Sequence, residues 1–80
     1  MKKQPIRKKG RRYYENLRAE MARKGISVSE TAAKIGLSRQ SFHCRLAGSV
    51  NFTFDEAKKL ATFFNVDVDY LMQFKEMEGE

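Results

Sequence analysis

The sequence predicts an all-α fold, a compact domain of five short helices, and three observations predict it. Apolar residues recur at three- and four-residue steps, the spacing that gathers side chains on one face of a helix. The pairs Ser27 with Glu30 and Thr53 with Glu56 have the spacing of reciprocal helix-start caps. Gly25, Gly36, Gly48 and Asn65 follow the periodic segments, where a left-handed residue stops a helix. No segment reads convincingly as a strand, and none is expected.

The first helix is expected from about Arg12 to Lys24, with Tyr13, Tyr14, Leu17 and Met21 on its inner face. Gly25 ends it, and a Schellman turn there would fold Ile26 back onto Met21. Ser27 caps the second helix, Ala32 and Ile35 face inward, and Gly36 stops it. After Leu37, Ser38 caps a third helix running to about Ala47. Phe42 and Leu46 stand one turn apart on it and point to the core. Thr53 opens the fourth helix, whose apolar stripe is Phe54, Ala57, Leu60, Ala61 and Phe64. Asp67 caps a short fifth helix carrying Val68, Leu71 and Met72.

Eighty residues make one domain at most, with little room for an enclosed active-site pocket. A hydrophobic fraction of 41% suffices for a packed core. The apolar runs are too short for a transmembrane span, no secretory signal is expected, and a single cysteine fits a reducing, cytoplasmic setting. Of the 16 basic side chains, seven lie in residues 1–12: Lys2, Lys3, Arg7, Lys8, Lys9, Arg11 and Arg12. The other nine face ten acidic ones, so the body is nearly neutral. The chain therefore divides into a flexible basic arm (1–12), a helical domain (13–75) and an acidic tail (76–80). An arm of this kind suits polyanions.

Two short helices joined through Gly36 cannot lie antiparallel. They cross steeply, the geometry of a helix-turn-helix. Ala32 leaves room for the third helix, and Leu37 with Phe42 fills the angle between the two. The motifs "SVSETAAKIGLSRQSF" and "RLAGSVNFTFDEAKKLATFFNVDVDYLM" resemble the phage-repressor and Cro (Xre-like) helix-turn-helix family, from about Leu17 to Met72. The resemblance implies a lambda-repressor-like fold and a transcriptional regulator, usually dimeric, that reads a double-stranded DNA operator with the second motif helix. One departure stands out: many members begin the second helix with a phosphate-contacting Gln, and Val28 stands here.

On the third helix, the side opposite Phe42 and Leu46 carries Gln40, His43, Cys44 and Ala47, flanked by Arg39 and Ser41. A helix with small and hydrogen-bonding residues on its free face, and no acid, fits the major groove. Arg39 can pair with a guanine edge and Gln40 with adenine. His43 is either a donor to base or phosphate or a surface spacer. Cys44 is either a contact for a thymine methyl or an inert thiol. Ser38, Ser41, Arg45, Ser49 and Asn51 are the candidates for phosphate contacts, which fix register without reading sequence.

Catalysis is not expected. The single His and single Cys are adjacent on one turn and point about 100° apart, and Asp67 and Asp69 are explained by capping and solvation. No metal-ligand spacing, cofactor motif or small-molecule site is evident. Two other readings stay open: a protein-interaction module such as an antitoxin or adaptor, using aromatics such as Phe63 or Tyr70, and a non-specific nucleic-acid binder working through the arm. A homodimer is expected, because one short helix reads few base pairs. Met72, Phe74 and Met77 either form its contact surface or pack onto the first helix.

Overall fold

Leu17, Phe42, Leu60 and Leu71 have no exposed surface (0% each), and the helices are arranged around them. A computed structural model describes residues 11–77. Its elements run in the order β1 (Arg11–Tyr13), α1 (Glu15–Lys24), α2 (Val28–Lys34), α3 (Arg39–Leu46), α4 (Phe54–Phe64), α5 (Val68–Leu71) and β2 (Lys75–Met77). Burying a Leu or Phe side chain contributes about 1.5–3 kcal/mol. Every helix places at least one apolar residue in this core, and helices this short draw most of their stability from such packing.

The helix boundaries follow from local chemistry. Both capping boxes form: Ser27 Oγ accepts from the Glu30 N–H while Glu30 accepts from the Ser27 N–H, and Thr53 and Glu56 do the same. At the end of α1 the Ile26 N–H donates to the Met21 carbonyl and the Gly25 N–H to Ala22, the two bonds of a Schellman turn. The same pair of bonds recurs after α4, with Asn65 in the left-handed conformation (φ 59°).

Three expectations are corrected. First, Arg11–Tyr13 is not the start of a helix but a strand, paired antiparallel with Lys75–Met77 in the register Arg11↔Met77, Arg12↔Glu76 and Tyr13↔Lys75. The folded body thus includes residues expected in the arm and in the acidic tail. The pairing is pinned from both ends. The Phe74 ring meets Tyr14 edge-on at 5.6 Å, the Arg12 guanidinium lies 4.4 Å over Phe74, and Lys75 Nζ sits 3.1 Å from Glu15. Phe74 therefore packs beside the start of α1, and Met72 packs against the core.

Second, Phe54 is 72% exposed. It occupies the first helical position of α4 and projects past the end of the core, whereas Ala57, Leu60, Ala61 and Phe64 face inward. Third, Asp67 stands at the cap position of α5 but its side chain makes no cap hydrogen bond. Among the described residues, no helix is long and apolar enough to cross a membrane.

Candidate nucleic-acid interface

The interface is built on the turn between α2 and α3. Gly36 has φ +76°, a conformation that costs a side-chain-bearing residue about 1–2 kcal/mol. The Leu37 N–H reaches back 2.9 Å to the Ala32 carbonyl, and Leu37 is half-buried in the angle. Thr31 is fully buried, its hydroxyl donating to the Ser27 carbonyl at 2.8 Å, so α2 carries one polar group inward with its hydrogen bond satisfied. Val28 is half-buried against the core.

Ser38 Oγ accepts the Ser41 N–H at 3.1 Å and starts α3. Phe42 and Leu46 fix the helix to the core, and the 3.6-residue period then leaves Arg39, Gln40 and His43 exposed. Cys44, Ser41 and Ala47 are half-buried beside them, and Ser38, Ser49 and Asn51 are exposed around the helix ends. The row contains no carboxylate to oppose a phosphate.

Arg45 is engaged within the fold. Its Nε donates to Glu56 Oε1 at 2.8 Å and its Nη1 to the Ser41 carbonyl at 3.0 Å, leaving the side chain 18% exposed. The guanidinium braces α3 against α4 rather than standing free for a phosphate. Burial pushes the Glu56 carboxyl up, but the Thr53 backbone N–H and Arg45 outweigh it and hold the group below its ordinary value. The same oxygen thus serves the cap of α4 and the brace to α3.

Sequence reasoning does not single out Arg18. Its guanidinium lies 4.9 Å from the centre of the Tyr13 ring, and its Nη2 donates to the Leu46 carbonyl at 3.5 Å. That puts a positive charge at the C-terminal end of α3, where the helix dipole favours one. A polar residue on α1 looks solvent-facing until β1 is known to lie over it, so no local signal marks Arg18.

The remaining candidates divide. Tyr70 is held by Glu20, to which its hydroxyl donates at 2.9 Å, and Phe63 is half-buried against Phe64. Lys2, Lys3, Arg7, Lys8 and Lys9 lie outside the described residues. Arg12 is engaged with Phe74, and Arg11 is in the ribbon backbone. Among the described residues no group of three His, Cys, Asp or Glu could hold a metal. A family model described as helix-turn-helix matches residues 17–71, well over half of the chain. No curated protein matches it.

Proposed function

This chain belongs to the helix-turn-helix family of Xre- and Cro-type DNA-binding domains, and we propose that it is a sequence-specific repressor that reads a DNA operator with α3. The observation that carries this reading is the sidedness of α3, with Phe42 and Leu46 buried while Arg39, Gln40 and His43 face solvent. Arg39 and Gln40 stand in the first turn, where groove-inserted helices make most base contacts. Arg39 takes a guanine edge and Gln40 an adenine, with His43 and Cys44 one turn further along. Ser38, Ser41, Ser49 and Asn51 lie near enough to the helix ends to hold phosphates. The arm cations Lys2, Lys3, Arg7, Lys8 and Lys9 add sequence-independent affinity.

Two copies acting together would read a full site, with half-sites about one helical turn, 34 Å, apart. An apolar groove of about 350 Å³ between Phe54, Val68, Met72 and Phe74 is the surface we assign to that contact. Phe54 is largely exposed at its edge.

Selection of bound sequences from a random duplex pool tests the whole reading, and symmetric half-sites are the expected result. Arg39→Ala and Gln40→Ala should each cost about 1–3 kcal/mol on the selected site and relax preference at one position. A pool that returns no preferred sequence rules out base reading by α3.

A further inference from the structure

A second charged surface includes no residue of α3. A groove of about 500 Å³ runs between α2 and α4, lined by Lys34, Lys58, Lys59, Thr62, Phe63 and the single acid Asp55. The Phe63 ring stands edge-on to Phe64 at 4.9 Å, which seats it on the core and leaves it half-buried. Two ammonium groups share that ring: Lys24 Nζ at 5.3 Å from α1 and Lys34 Nζ at 5.6 Å from α2. Among the described residues the ion pairs recruit Arg23, Arg45 and Lys75, while Lys24, Lys34, Lys58 and Lys59 pair with no carboxylate. Lys24 and Lys34 thus share the Phe63 ring, Lys58 lies over the neighbouring Phe54 ring at 5.4 Å, and Lys59 lines the same groove, so three helices gather four lysines beside one acid, Asp55.

We infer that this groove docks an acidic segment of a partner protein, one carrying an apolar anchor residue among its carboxylates. An ammonium over an exposed aromatic ring gains only about 0.5–1 kcal/mol, less than it gains from a charge-assisted hydrogen bond to a carboxylate. Arriving carboxylates would draw Lys24 and Lys34 off the ring and open its face to the anchor. The charges then supply steering and the ring supplies the desolvated contact. None of these residues lies on α3 or in the loop at 47–53. A phosphate backbone would satisfy the lysines but would have no use for the ring.

The test measures binding of labelled short peptides to the full chain by fluorescence anisotropy. One peptide alternates Glu with Ser around a central Leu, and a second replaces that Leu by Ser at the same charge. The Leu peptide should bind more tightly than its Ser partner, and Phe63→Leu should narrow the gap while the melting temperature reports that the fold is kept. Lys34→Glu with Lys59→Glu should weaken the Leu peptide by about tenfold or more, with affinity for a selected duplex changing by less than about twofold. Equal binding of the two peptides overturns the proposal. So does a parallel loss of duplex affinity in the lysine variant, which would make this a phosphate surface. Failure of both peptides to bind also overturns it, and the peptide outcomes do not depend on whether α3 reads bases.

Discussion

Arg45 shows how one side chain changes role between a chain and a fold. Its neighbours in sequence suggest a phosphate contact, but in space its guanidinium joins Glu56 to the Ser41 carbonyl. With 18% and 14% of the two side chains exposed, the pair lies between a surface bridge of little worth and a dry one. Arg45→Ala should therefore lower stability by about 1–2 kcal/mol. The discriminating readout is the salt dependence of duplex binding. Removing a cation that neutralises a phosphate flattens the log–log slope by about 0.9, whereas removing a brace leaves it unchanged. A flattened slope with unchanged stability would return Arg45 to the DNA surface. The exposure of Arg39, Gln40 and His43 was legible in the sequence because it follows from two buried residues on the same short helix. The bridge was not, since eleven residues and an intervening loop separate Arg45 from Glu56.

At the scale of elements, caps and stops carried most of the legible information. Ser27–Glu30, Thr53–Glu56 and the left-handed turns at Gly25 and Asn65 are all settled within five residues of chain, the range over which sequence spacing speaks directly. The hinge itself can be tested. A Cβ at Gly36 would meet nothing within 4 Å, so Gly36→Ala should cost only the strain of a positive φ, about 1–2 kcal/mol. For a domain this size the melting temperature should fall by about 4–8 °C per kcal/mol. Duplex affinity, measured well below the new midpoint, should stay within about threefold. A much larger loss would mean that the crossing angle had changed.

The caps also set an acid limit. Glu30 and Glu20 join Glu56 in being held below the ordinary 4.5, Glu30 chiefly by the Ser27 N–H and Glu20 chiefly by the Tyr70 hydroxyl. Between 4.5 and the lower folded values the unfolded chain binds more protons. The stabilisation is therefore complete above 4.5 and is lost as pH falls through the folded values. Tyr70, raised above 10.0 by its bond to Glu20, has the opposite sign: its contribution holds below 10.0 and is lost at more alkaline pH. The melting temperature should be level between these limits and fall on both sides. Glu56→Gln should lower the plateau and shallow the acid limb, and an acid limb unaltered by that change would remove the carboxylate from the account.

For the molecule as a whole, the ribbon is the feature that sequence spacing could not reveal. Each strand has three residues, too few to establish a period, and the partners stand at opposite ends of the domain. Their pairing moves the root of the arm to Arg11 and attaches it to the core through Arg12, Phe74 and Tyr14. Two truncations therefore have different consequences. Removing residues 1–10 takes away Lys2, Lys3, Arg7, Lys8 and Lys9 and leaves the ribbon intact. The melting temperature should hold, and the salt slope of duplex binding should flatten by up to about 4.5, at about 0.9 for each phosphate no longer neutralised. Removing residues 1–12 also unpairs Lys75–Met77 and uncovers the Phe74 and Tyr14 rings, so it should lower the melting temperature as well. If the shorter truncation kept the full salt slope, the arm would make no phosphate contact, and DNA affinity would have to come from the helical body alone. A steep slope surviving the shorter truncation would point to cations of the body, such as Arg39 or the lysines around Phe63, and the duplex affinities of Arg39→Ala and of the Lys34→Glu, Lys59→Glu variant would tell these apart.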